Sequence, residues 1–201
     1  MLNKLSNRFV MLCVSCLLTA CASTAPTNYY VLESLSQPPL VTAHTTENNI
    51  LIGIGPLSLP AVLDRDQIVT RTENNNIQIA EFDQWAAPLK GNIISILRQN
   101  MATLQPNFIV RAYPWNAYGD VNYRVIVDIS RFDTQLGKSV NLEASWSIME
   151  EKNHTIISNG QVKLDQQLTD ASYNNAAQAL SKLLSKFSQK LSLDLINIQQ
   201  R

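Results

Sequence analysis

The chain has 201 residues, with 16 Lys and Arg set against 16 Asp and Glu, 45% hydrophobic residues and 16% charged ones. That composition is globular and weakly charged, and the lack of a basic patch or a run of like charge speaks against nucleic acid as a partner. The three cysteines, Cys13, Cys16 and Cys21, all lie near the N-terminus, which leaves the rest of the chain without a thiol nucleophile, a disulfide or a thiolate metal site.

Residues 1–8 are polar, with Lys4 and Arg8 positive, and residues 9–18 form an apolar run that ends in Leu18-Thr19-Ala20-Cys21. These are the parts of a secretory signal peptide. As a helix the run rises only about 15 Å, half the hydrocarbon thickness, so it is too short to span a bilayer. Leu-Thr-Ala-Cys resembles the bacterial lipobox. That implies cleavage after residue 20 and an acylated Cys21, each buried methylene contributing about 0.8 kcal/mol to anchoring. Ala22 stands where Asp would signal inner-membrane retention in the lipoproteins of enteric bacteria, so the same resemblance implies the outer membrane, lipid-anchored and facing the periplasm. Residues 1–20 are then a cleaved signal, 21–28 an acylated N-terminus and tether, and 29–201 a single periplasmic domain. The tether from Ala22 to Asn28 reaches about 25 Å when extended, which keeps the domain close to its membrane.

Tyr29-Tyr30-Val31-Leu32 reads as a short strand, and residues 33–49 as a polar loop around Pro38-Pro39. Ile50–Ile54 is a buried strand. Gly53 and Gly55 at its end read as turn glycines, because Pro56 follows and Ser58 stands where a phosphate loop would need a third glycine. After a connection through Pro60, Asp64, Arg65 and Asp66, residues 67–71 and 76–80 form a hairpin across Glu73-Asn74-Asn75-Asn76. From Phe82 the period changes. Phe82, Trp85, Ala86, Leu89, Ile93, Ile96, Leu97, Met101 and Leu104 fall three or four apart, predicting an amphipathic helix with Asp83 as its N-cap and Pro88 at its second turn, so that the regular helix starts at Ala87 or kinks there. Residues 108–113 form a strand that leads into Pro114-Trp115. Residues 121–133, 140–149 and 155–168 alternate as a three-stranded antiparallel meander with one wet face. Thr169-Asp170 opens a last helix with its stripe at Tyr173, Ala176, Ala177, Leu180, Leu183, Leu184, Phe187, Leu191 and Leu195. The expected fold is a two-layer α+β sandwich, an antiparallel or mixed sheet with two long helices on one face.

No catalytic set emerges. His44 and His154 stand alone in a loop and a turn, without zinc-ligand spacing. There is no Gly-x-Ser-x-Gly elbow. Asp64 and Asp66 flank Arg65, and Asp128 and Asp133 bracket Arg131. Interleaved arginines favour ion pairing over acid–base work, although strand alternation would turn Arg131 away from Asp128 unless a bulge intervenes. Trp85 and Trp146 fall on apolar stripes and read as core. Trp115, between Tyr113 and Tyr118, reads either as a contact surface for a partner or lipid headgroup or as a tucked corner residue.

Several pieces together carry a resemblance. They are the lipobox; Tyr29-Tyr30-Val31-Leu32; Ile54-Gly55-Pro56-Leu57-Ser58-Leu59-Pro60, continuing through Leu63-Asp64-Arg65 to Ile68-Val69-Thr70-Arg71; Trp85-Ala86 with Pro88-Leu89; Tyr113-Pro114-Trp115; and Val127-Asp128-Ile129 with Arg131-Phe132-Asp133. This set is similar to the PqiC (YmbA-type) lipoproteins, auxiliary lipoproteins of ABC-type and MCE-type transport systems. Gln84 departs from the basic residue that relatives often carry before the tryptophan. The resemblance implies a non-enzymatic lipoprotein, without metal or cofactor, in an intermembrane lipid transport system that supports envelope integrity. It would dock a periplasm-spanning PqiB-type MCE protein at the outer membrane, and copies of it could form a homo-oligomer ring matching the MCE tube. Pro56, Pro60, Asp64, Arg65, Arg71 and Trp115 are the expected partner-binding residues, Cys21 the lipidated one, and Trp85, Asp128, Arg131, Asp133 and Trp146 structural. The alternative is a periplasmic carrier that binds phospholipid in an acyl-chain cavity, with Ala177, Leu180 and Leu184 loosely packed against Ala144.

Overall fold

The computed structural model describes residues 25–36, 50–72, 74, 76–115 and 119–199. The signal segment, Cys21, His44, Tyr118, part of the tether and much of the loop before Ile50 lie outside them. The described chain forms strands β1 (Asn28–Tyr30), β2 (Ile50–Ser58), β3 (Gln67–Arg71) and β4 (Ile77–Trp85), helix α1 (Leu89–Leu104), strands β5 (Phe108–Ala112), β6 (Tyr123–Gln135), β7 (Ser139–Glu150) and β8 (Thr155–Gln167), and helix α2 (Tyr173–Gln199).

The sheet is organised on β6. Along one edge β6 pairs antiparallel with β7, from Tyr123 opposite Glu150 to Gln135 opposite Ser139, and β7 pairs with β8. This is the expected meander. The other edge of β6 is shared end to end. Its first half pairs in parallel with β2, and further along Thr134 meets Thr70 of β3, also in parallel. Outside β2 lies β5, and outside β3 lie β4 and then β1. The sheet is therefore mixed, and the domain is α+β.

Alternation places Val125, Val127 and Ile129 of β6 and Val140, Leu142, Ala144, Trp146 and Ile148 of β7 in the core. Helix α1 packs over β2 and β5, and α2 over β7 and β8. Most of the apolar stripe predicted for each helix is buried, with Leu89, Ile93, Leu97 and Met101 in α1 and Leu180, Leu183, Leu184, Phe187 and Leu191 in α2, while Leu104 and Tyr173 are half-buried. Each such side chain contributes about 1.5–3 kcal/mol by leaving water. Trp146 sits with its ring centroid 5.6 Å from Phe187 and donates from Nε1 to Asp194 Oδ2 at 2.9 Å. Gly160, its partner across β7 and β8, leaves room for that ring.

The helix pair is held by a buried polar seam. Asn100 of α1 donates from Nδ2 to Ser188 Oγ at 3.1 Å and accepts from the Leu35 backbone N–H at 2.7 Å. Ser181 Oγ accepts the Glu33 N–H at 3.0 Å. Residues 31–36 thus lie as a strap across both helices.

Three expectations are corrected. The helix does not begin at Phe82, and Asp83 is not its cap. β4 runs on to Trp85 because β1 pairs in parallel with it from Asp83 to Trp85, and α1 opens only at Leu89 behind Pro88. Strand pairing overrides the helical spacing, and proline is tolerated at a helix start but not inside one. Gly53 and Gly55 do not end β2. The strand continues to Ser58 through a register shift between Ile54 and Leu57, and the glycines are there for space. A Cβ on Gly53 would lie 2.8 Å from the Trp115 ring, and one on Gly55 would lie 2.6 Å from Tyr113 Cβ. Helix α2 opens at Tyr173, with Ser172 Oγ accepting the Asn175 N–H at 3.1 Å, rather than at Thr169-Asp170.

Candidate functional site

Both helices cover one face of the sheet, and the opposite face carries the largest connected set of charged side chains among the described residues. It is built on β6. A register shift between Ile129 and Arg131 breaks the alternation there. The bulge intervenes where the strand would otherwise have turned Arg131 and Asp133 together to the face opposite Asp128. Arg131 then shares the outer face with Asp133, two residues on, and with Asp128 before the shift. Arg131 Nε donates to Asp133 Oδ2 at 2.8 Å. Arg71, at the end of β3, donates from its own Nε to the same oxygen at 3.0 Å. The other oxygen of Asp133 accepts from Asn141 Nδ2 at 3.1 Å. The carboxylate is thereby buried between two guanidinium groups that remain about one-third exposed.

The chain of charge continues across the sheet. Arg131 Nη1 lies 3.5 Å from Glu143 on β7, and Lys163 Nζ on β8 lies 2.9 Å from the same carboxylate. Lys163, with Arg131 behind it, holds the Glu143 carboxyl below its usual range, and Asp133 in turn raises the Arg131 guanidinium. Both carboxylates are paired with cationic side chains. They form a fixed pattern of charge suited to contact, and neither is set up as a general base.

A crevice of about 60 Å³ opens beside this network, lined in part by Pro60, Leu63, Val69, Ile77 and Phe132 together with Arg71 and Asp133. Three residues singled out from the sequence, Pro60, Arg71 and Asp133, therefore converge, and Arg131 joins them. The others do not. Pro56 is exposed within β2, and Asp64 is exposed in the turn before β3. No ion pair joins Arg65 to Asp64 or Asp66 among the described residues, and Arg65 Nε has no hydrogen-bond partner. Asp128 accepts a hydrogen bond from Ser58 Oγ. Trp85 and Trp146 are core.

Trp115 is tucked, not presented. The ring is 6% exposed and folds back over Gly53, in edge contact with Tyr113 at 5.4 Å and under the Arg124 guanidinium at 5.4 Å. Glu143, Lys163 and Asn141 were missed as site residues. Glu143 was legible as a wet-face residue of β7, but its meeting with Arg131 and Lys163 depends on the pairing registers. Among the described residues no group of three His, Cys, Asp or Glu could hold a metal, and no helix is long and apolar enough to cross a membrane.

Comparison with known proteins adds a family. The model for the ABC-type transport auxiliary lipoprotein component matches residues 30–192. Two curated relatives, the intermembrane transport lipoproteins PqiC of Escherichia coli K12 and of Shigella flexneri, are each 24% identical over 119 residues, or 59% of this chain. The chain spans 61% of the length of these relatives. Among solved structures, an uncharacterized protein superposes with a TM-score of 0.71 at 18% identity, covering 85% of this chain and 99% of that one. A Xanthomonas campestris protein gives 0.67 at 15% identity, covering 87% and 98%. At these identities the structural likeness speaks to the fold alone.

Proposed function

This chain belongs to the family of ABC-type transport auxiliary lipoprotein components, and we propose that it serves a Pqi/MCE-type intermembrane lipid transport system at the outer membrane. In this role it is anchored through acyl chains on Cys21, faces the periplasm and docks the end of a periplasm-spanning MCE protein, so supporting envelope integrity. The observation that carries the docking role is the open outer face of the sheet. Both helices lie on the other side, and the strip from Arg71 through Asp133, Arg131 and Glu143 to Lys163 is held in place by its own ion pairs. Such a preorganised surface gains contact energy without first ordering its side chains. A ring of copies around the MCE tube would multiply the contact, and a monodisperse monomer in sedimentation counts against the ring.

The carrier alternative needs room for an acyl chain between sheet and helices. One cavity there, among Trp85, Leu89, Phe132 and Leu180, measures about 10 Å³, the space of about one water. Ala177, Leu180, Leu184 and Ala144 are all buried, which gives the carrier no support.

The test is co-purification from outer-membrane extracts, comparing wild type with Cys21→Ala and Lys163→Glu. Lys163 is 77% exposed, so its reversal leaves the core intact. Docking predicts that an MCE protein is recovered with wild type and weakened by Lys163→Glu, and that Cys21→Ala loses membrane fractionation while still binding. Recovery of phospholipid without an MCE protein would replace docking with carriage. Release of wild type from the membrane fraction would remove the lipoprotein premise.

A further inference from the structure

Two exposed apolar side chains of the described residues fall on one short segment. Tyr29 is 66% exposed and Val31 56%, although both belong to the segment that enters the sheet as β1. They point to the same side of an extended chain, while Tyr30 between them turns inward against Tyr173. The end of β4 lies beside them. Tyr30 pairs with Trp85, and the Ala86 N–H donates to Tyr30 O at 2.8 Å. Ala86, Ala87 and Pro88 follow, all exposed. Five apolar residues from two segments are thus adjacent at one margin of the domain, with nothing of the described chain over them. Clustered exposure of this kind marks a contact surface more often than scattered single residues do.

The length of chain before this patch says what covers it. Tyr29 is eight positions after Cys21, and the intervening chain spans at most about 25–30 Å. A domain of this size is about 40 Å across. The tether is too short to bring the far side of the domain to the membrane without wrapping around it, so the margin at β1 is the one that meets lipid. A tyrosine with an apolar ring and a polar tip, next to valine, alanine and proline, suits the boundary between headgroups and acyl chains. We propose that Tyr29 and Val31, with Ala86–Pro88, form a lipid-facing patch that seats the domain on the membrane holding its anchor. This rests on the acylation of Cys21. The acyl chains would retain the protein, and the patch would fix its orientation, turning the outer face of the sheet to a set height and angle above the bilayer.

The test uses full-length acylated protein in phosphatidylethanolamine–phosphatidylglycerol vesicles. Cys13 and Cys16 lie in the expected signal and the Cys21 thiol carries the lipid, so one introduced cysteine labels cleanly. Tyr29→Cys, Val31→Cys, Ile156→Cys and Leu193→Cys are each given an environment-sensitive fluorophore. The last two sites are 54% and 62% exposed on β8 and α2. The patch predicts blue-shifted emission at 29 and 31, with quenching by spin-labelled lipid several-fold stronger than at 156 and 193. Equal, weak quenching at all four sites in protein that floats with the vesicles overturns the patch and leaves the anchor standing. Shielding of 29 and 31 from an aqueous quencher without lipid quenching also overturns it, and assigns the surface to protein contact. Protein that fails to float overturns anchor and patch together.

Discussion

Arg71 and Asp133 are 62 positions apart in sequence and joined by a 3.0 Å bond from Nε to Oδ2. The bond clamps the end of β3 to the distal half of β6, where only one backbone register pair, Thr70 with Thr134, connects the two strands. Side chains thus complete a junction that the ladder leaves thin, and they complete it on the face that carries the charged strip.

Asp133→Ala should therefore do more than remove one carboxylate. It leaves Arg71 and Arg131 close together without their common counter-ion and frees Asn141 Nδ2. Removing one partner of a buried pair costs about 3–5 kcal/mol, and the partial exposure of both guanidinium groups reduces this to about 1–3 kcal/mol. The check is urea unfolding, in which the midpoint falls and the slope is unchanged. A midpoint equal to that of wild type would show that the clamp contributes nothing.

The clamp also shows what could be read in advance. The alternation of Val140, Leu142, Ala144, Trp146 and Ile148, and the helical spacing of Leu183, Phe187 and Leu191, are local patterns, and they placed the meander, the last helix and most of the core. That β2 and β3 share one edge of β6 is a non-local fact, absent from either strand alone. The run from Phe82 to Trp85 carried helical spacing, and its strand partners, β3 and the parallel β1 some fifty residues upstream, decided it as strand. Arg131 and Asp133 are neighbours read together as ion-pairing residues, and Arg71 stands apart from them in sequence. Their convergence needed both the register and a bulge that no residue announces, and Lys163 drew no notice because its role is set by pairing with Glu143.

Tyr30 sets an alkaline limit. Its hydroxyl donates to Asp83 Oδ1 at 2.7 Å, and burial followed by that carboxylate pushes its pKa from 10.0 up to about 12. A group raised in the folded state contributes stability that is complete below the unfolded value. Here that contribution disappears between pH 10 and 12, as the unfolded chain releases its proton first. Urea midpoints should fall across that window in wild type and fall less steeply in Tyr30→Phe. Tyr173, shifted upward mainly by its own burial, keeps part of the slope. Identical slopes would mean that Tyr30 titrates as it does when unfolded.

Asn100 is fully buried between the helices, yet one of its bonds serves the strap and not α2. Asn100→Ala leaves the Leu35 N–H without its acceptor and Ser188 Oγ without a donor, at a cost of about 1–3 kcal/mol. Hydrogen exchange separates this from a general loss of stability. Amides of residues 33–36 should lose protection far more than those of β7. A uniform change would mean that the strap is held by Leu32 in the core and not by the polar seam.

Gly53 and Trp115 are matched by shape. The ring lies where a Cβ on Gly53 would stand, with three ring atoms within 3.0 Å of it. Gly53→Ala should cost about 1–3 kcal/mol by overpacking, because the backbone of β2 is pinned between β5 and β6 and the ring is rigid. Trp115→Ala should also destabilise, by emptying the corner and removing the ring under Arg124, which keeps its ion pair with Glu151. The two effects are not independent. In Trp115→Ala the added methyl meets open space, so the double variant should be more stable than the sum of the singles predicts, by about 0.5–3 kcal/mol. Chemical denaturation of the four proteins gives this coupling directly. Strict additivity would mean that the ring moves aside in Gly53→Ala, and that the glycine is not what seats the tryptophan on the outer face of the sheet.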